Sequence, residues 1–151
     1  MRVSMVHILV KLILLALLVI VSYKISRAKK SDPSIELKLN IRSWIELFVV
    51  VALDLFVLVS RANEANSFKL MILGQVMIVI TFLHTRRYVF VGKNMIYLLE
   101  HMFLTKHVSN VRYEKNQLKL AIQGTEVKVR FPLADVEYIQ ERFSGKRYQK
   151  K

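Results

Sequence analysis

Apolar residues in this chain come first in three long runs and then in short alternating stretches. The first run, Met5 to Tyr23, is interrupted by His7 and Lys11. The second, Trp44 to Ser60, carries Glu46 near its start and Asp54 further in. The third, Phe68 to about His84, has Gln75 as its one strongly polar interior residue. Each run approaches the roughly 17–25 residues that carry a helix across hydrocarbon. The pattern therefore predicts three transmembrane helices, over 5–23, 44–60 and 68–84. The second and third are short enough to cross with little tilt. The first is followed by Lys24-Ile25-Ser26-Arg27-Ala28-Lys29-Lys30, a stop-transfer flank and a poor cleavage site, so it reads as an uncleaved span.

From Tyr88 the period changes. Tyr88 to Val91 and Met95 to Leu99 read as strands around a Gly92-Lys93-Asn94 turn. Met102 to His107 and Val108 to Tyr113 carry further strand-like residues. Gln117 to Gln123 and Glu126 to Phe131 alternate with period two across a Gly124-Thr125 turn, the signature of a hairpin. Pro132 ends that strand, Ala134 to Phe143 reads as an amphipathic helix, and Gly145 reads as its stop. The fold class expected is a membrane α-helical region, residues 1–87, followed by a small C-terminal α+β domain, 88–145, and a basic tail, 146–151.

Composition reinforces the division. The chain of 151 residues is 54% hydrophobic, yet holds 24 Lys and Arg against 11 Asp and Glu. A bilayer demands this segregation of apolar runs from charge, since hydrocarbon accepts apolar helices and rejects ions. Cysteine is absent, which excludes disulfides, thiolate metal sites and thiol nucleophiles.

Charge asymmetry sets an expected orientation. The first loop contains Lys24, Arg27, Lys29, Lys30, Lys38 and Arg42, whereas the second offers Arg61 and Lys69 and the N-terminal flank Arg2. Arg86, Arg87 and a basic tail follow the third run. Positive residues stay in the cytoplasm, so the N-terminus is expected outside the cell membrane and the C-terminus in the cytoplasm. Tyr23, Trp44 and Tyr88 then fall at inner helix ends, where aromatic anchors belong. Lys24, Arg27, Lys29, Lys30, Arg42, Arg86 and Arg87 would meet anionic inner-leaflet headgroups, at roughly 1 kcal/mol per cation.

In that topology Lys11, Asp54 and Gln75 share one depth, about six residues or roughly 9 Å from the outer helix ends. A lone charge there costs roughly 2.5–3.5 kcal/mol, so an inward Lys11–Asp54 ion pair is expected, with Gln75 as a hydrogen-bonding neighbour. His7, one turn above Lys11, would extend the cluster toward water. Such a pair fixes helix packing, or it lines a ligand pocket or proton path; alternatively the long Lys11 stem snorkels outward.

No catalytic constellation stands out. His84, His101 and His107 are scattered, Gly92 and Gly124 are isolated turn glycines, and neither a metal, a cofactor nor an enzymatic activity is expected. The basic domain adjoins the membrane and lacks a reading helix, so lipid rather than nucleic acid is the expected partner.

The strands from Tyr88, the Gly92-Lys93-Asn94 turn, the Val108 to Tyr113 segment, the hairpin and the C-terminal helix resemble a trimmed pleckstrin-homology-like module. Bacterial membrane proteins of the PH-like and YcxB-like kind carry one after a small bundle of spans. This copy has fewer strands than a full PH barrel. The chain is also similar to the small basic multi-span proteins that accompany bacteriocin production. The resemblance implies a non-enzymatic accessory protein giving self-immunity to a membrane-active peptide, with that peptide bacteriocin or a membrane transporter subunit as partner. Alternatives are a holin-like pore former and a scaffold subunit of a transporter complex.

Overall fold

A computed structural model describes residues 2–63 and 65–144. Gly145 and the basic tail at 146–151 lie outside the described residues. Three long helices come first: α1 (Arg2–Ser31), α2 (Ile41–Val59) and α3 (Ser67–Thr85). Six strands follow, β1 (Val89–Val91), β2 (Met95–Leu98), β3 (His101–Leu104), β4 (Val108–Glu114), β5 (Gln117–Ile122) and β6 (Thr125–Arg130), and then α4 (Val136–Phe143). The chain divides into two compact units, Met1–Ile25 with Trp44–Thr85, and Ser26–Ser43 with the residues from Arg86 onward.

The helical unit is built around Leu14, Val50, Val57 and Met77. At Gly74 of α3 an added Cβ would overlap Val10 Cγ1 of α1, so glycine permits the close approach of the two helices. Its large apolar residues face outward: Phe48 is 74% exposed, as are Leu12, Phe56, Phe68 and Leu83 by more than half. The buried set includes His7, Asp54, Thr81 and His84. A water-soluble bundle has the opposite arrangement. Two helices, α1 from Met5 and α3, are long and apolar enough to cross a membrane. The remaining long helix, α2, has 19 residues and carries Arg42, Glu46 and Asp54.

Helix α1 continues eight residues past Tyr23, the expected end of the first span. Nothing in Lys24 to Ser31 breaks a helix, Lys29 and Lys30 suit the negative end of its dipole, and Pro33 stops it. Asn40 caps α2, its Oδ1 accepting from Ser43 N–H at 2.8 Å.

In the second unit β1-β2-β3 and β4-β5-β6 form two antiparallel three-stranded sheets. Leu118, Leu120 and Ile122 of β5 point inward, as the alternation predicts, and join Val89, Ile96, Leu98, Val129 and Ile139 in one core. Asp135 caps α4 by accepting from Tyr138 N–H at 3.2 Å, so the helix starts two residues later than expected. Three hairpins close through two-residue loops with both residues left-handed: Leu99-Glu100 (φ 47° and 67°), Lys115-Asn116 (50° and 61°) and Gln123-Gly124 (50° and 84°). These are type I′ turns, whose twist suits paired strands. The last one sits one residue earlier than the Gly124-Thr125 turn expected.

Candidate functional site

The expected Lys11–Asp54 ion pair does not form. Lys11 Nζ donates to the carbonyl oxygens of Leu58 and Ser60, at 2.8 and 2.6 Å. The last carbonyls of a helix lack intrahelical donors and carry the negative end of its dipole. Among the described residues, the ammonium group therefore finds its counter-charge in the carbonyls at the end of α2. Asp54 is 2% exposed, and Thr81 Oγ1 of α3 lies 2.9 Å from each of its carboxylate oxygens. Equal depth along two helices does not ensure that side chains share a face, and here Thr81 occupies the face that meets Asp54.

Gln75 does not join either group; it lies exposed on the outside of α3. His7 is 5% exposed, and both its ring nitrogens are buried with no hydrogen-bond partner among the described residues. A further pair was not anticipated: His84 Nε2 lies 3.8 Å from Glu46 Oε1, between α3 and α2. Glu46 and His84 stand at opposite sequence ends of antiparallel runs, and that placement was the available signal.

The first loop is more than a basic connector. Its residues 32–38 form a strap across the β domain. The boundary drawn at 87 groups this segment with the helices, but its contacts lie with the sheets. Asp32 Oδ1 accepts from Ser34 N–H at 3.0 Å and from the Ser34 hydroxyl. Its Oδ2 accepts from Asn94 N–H at 2.9 Å and Met95 N–H at 3.1 Å, on the β1–β2 turn. These donors, the Ser34 hydroxyl foremost, hold the Asp32 carboxyl below its ordinary pKa. Lys93 N–H donates to Ser34 Oγ at 2.7 Å. Ile35 is only 2% exposed, and Glu36 and Val91 exchange a pair of long backbone bonds at 3.4 Å.

Further along, Asp135 N–H donates to Lys38 O at 2.7 Å, and Lys38 Nζ sits 4.0 Å from the centre of the Tyr138 ring. From the other side Arg142 of α4 donates to Gly92 O at 2.7 Å. A Cβ on Gly92 would collide with Asp32 Oδ2 and Ile35, so this glycine serves close approach as well as the turn. The Asp32-Pro33-Ser34 sequence, an Asx turn, was the legible signal.

The basic residues divide by position. Lys24 is half-buried, Arg27, Lys29, Lys30, Arg42 and Arg86 are exposed, and Arg87 is half-buried. Arg87 Nε donates to Phe131 O at 2.6 Å. Tyr23 and Trp44 are 65% and 58% exposed, whereas Tyr88 is half-buried and stacks edge-on against Phe90 at 5.8 Å. Among the described residues no group of three or more His, Asp or Glu side chains is placed to hold a metal ion. No protein-family model, curated protein or solved structure matches the chain.

Proposed function

We propose that the chain is a non-enzymatic accessory protein of the cell membrane. In this reading it crosses three times with its N-terminus outside and holds a PH-like scaffold domain against the anionic inner leaflet. The observation that carries it is the inverted surface of the helical unit, apolar outside and polar within, on α2 as well as on the two more apolar helices. On α2, Asp54 is buried against Thr81 and Glu46 is turned toward His84, which removes much of the charge penalty of a third span. Three covalent connections between the two units, after Ile25, before Trp44 and after Thr85, support a domain tethered near the bilayer. Two three-stranded antiparallel sheets followed by a helix support the PH-like reading.

A scaffold role fits better than an outer-leaflet peptide site, because Lys11 and Asp54 are each satisfied within the helical unit. Protection against a membrane-active bacteriocin then operates through a partner such as a transporter subunit. Natural absence of cysteine allows a direct topology test. Single cysteines replace exposed Ala62, Ser31 and Thr125 in turn, and intact cells meet an impermeant maleimide. Labelling of Ala62→Cys alone, with the other two reacting after permeabilisation, is the expected result. Labelling of Thr125→Cys in intact cells overturns the orientation. Expression in a sensitive strain tests the process: lethal leakage without any peptide makes the chain a pore former instead.

A further inference from the structure

Phe131 stands at the end of β6 with 55% of its surface exposed and φ of 47°. A bulky side chain in left-handed backbone is costly, and such a conformation persists only where its surroundings impose it. Here they do. Phe131 N–H donates to Asn116 O at 2.8 Å, and its carbonyl accepts from Arg87 Nε at 2.6 Å. Immediately beyond it Pro132 and Leu133 are buried, and Leu133 N–H donates to Arg87 O at 2.8 Å. Two sets of bonds to Arg87 thus fix the base of an aromatic side chain that itself projects into the surroundings.

Arg87 follows the last residue of α3, Thr85, by two positions, at most about 7 Å of extended chain. Within its own unit, Phe131 is therefore tied to the segment that leaves α3. Flanking positions supply cations: Arg130 is exposed beside it, and Arg86 is exposed next to Arg87. An exposed aromatic ring with one exposed arginine next to it in sequence and another next to its Arg87 tether has the chemistry of the interfacial zone, where rings lie among headgroups and guanidinium groups meet phosphate.

We propose that Phe131 is a membrane foot of the β domain, its ring inserted at the headgroup level of the inner leaflet and Arg86 and Arg130 engaging lipid phosphates. This inference rests on the membrane reading above and adds the surface by which the domain meets lipid. Function would follow from orientation: the foot fixes which face of the two sheets is turned to the bilayer and which is offered to a partner.

The natural chain has one tryptophan, Trp44, so it carries its own control. Wild type and a Trp44→Phe/Phe131→Trp variant are reconstituted in phosphatidylglycerol-containing vesicles, with or without lipid brominated in the upper acyl chain. A Trp44→Phe/Thr125→Trp variant reports an exposed site at the opposite end of β6 from Phe131. The indole introduced by Phe131→Trp is expected to emit at short wavelength and to lose roughly half its intensity to the brominated lipid, as interfacial residues do. The indole introduced by Thr125→Trp keeps its intensity. If Trp44 is quenched in the wild type and the Phe131→Trp indole is not quenched in its variant, the foot is overturned and the membrane reading stands. If neither is quenched, both fail. A Phe131→Cys spin label gives an independent measurement without an aromatic exchange. Higher collision rates with oxygen than with a water-soluble nickel chelate support insertion, and the reverse order overturns it.

Discussion

Replacing Asp32 with asparagine isolates the strap. The carboxylate is 4% exposed and accepts from four donors, two at each oxygen. Asparagine keeps the shape but retains one oxygen. Its amide group opposes the Asn94 and Met95 N–H groups when turned one way and Ser34 N–H when turned the other, where the Ser34 hydroxyl can rotate to accept. Hydrogen bonds to a charged group contribute about 1.5–3 kcal/mol each, so losing at least one and weakening the others, now without the charge, costs about 3 kcal/mol after relaxation. That corresponds to an increase on the order of a hundredfold in local opening. The assay is hydrogen exchange on the full chain in lipid nanodiscs, read at the amides of Asn94 and Met95, with Leu118 and Leu120 as a reference for the core.

The effect also has a pH signature. Asp32 has a folded pKa below its unfolded value of about 3.9, so its contribution is complete above that value and is lost as pH falls through the folded pKa. Wild-type protection at Asn94, corrected for intrinsic exchange, should therefore fall below about pH 4, and Asp32→Asn should lack that step. Unchanged protection at Asn94 and Met95 in Asp32→Asn would falsify the strap argument. An equal loss at Leu118 would show global unfolding instead.

Gly92→Ala should loosen the same amides by about 1–3 kcal/mol, because its methyl collides with Asp32 and Ile35; hydrogen exchange reads it directly. In the Lys115-Asn116 turn, Lys115→Gly removes an exposed side chain from a left-handed position and should raise the melting temperature, a gain of about 0.5–1 kcal/mol. A double-mutant cycle of Lys11→Met with Asp54→Asn should be additive within about 0.5 kcal/mol, while Asp54→Asn with Thr81→Val should show coupling of about 0.6–1.7 kcal/mol. Unfolding in mixed micelles measures both, and strong Lys11–Asp54 coupling would restore the ion pair. Gly74→Leu should force α1 from α3 and lower the melting temperature of the helical unit, whereas exposed Gln75→Leu should not.

Local periodicity was enough to read much of this protein. The three apolar runs became α1, α2 and α3, and the period-two alternation in 117–123 became β5, because helix and strand spacing depend on neighbours along the chain. Pro132 marked a real strand end for the same reason. The residues whose partners are remote were not legible. Lys11 chose the carbonyls of α2 over Asp54, and Asp54 met Thr81, because helix rotation and offset are set by packing such as Val10 against Gly74. Linear depth carries no information about that rotation. The local Asx turn at Asp32 can be read from sequence, but its role depends on backbone donors some sixty positions away at Asn94 and Met95. The left-handed turns at Leu99-Glu100 and Phe131 run against residue preference altogether, since strand pairing and the bonds to Arg87 impose them. The sequence by itself determined where this chain is apolar, basic and extended. Tertiary packing alone decided which polar groups meet, because direction around a helix and proximity across a sheet are properties of the assembled fold.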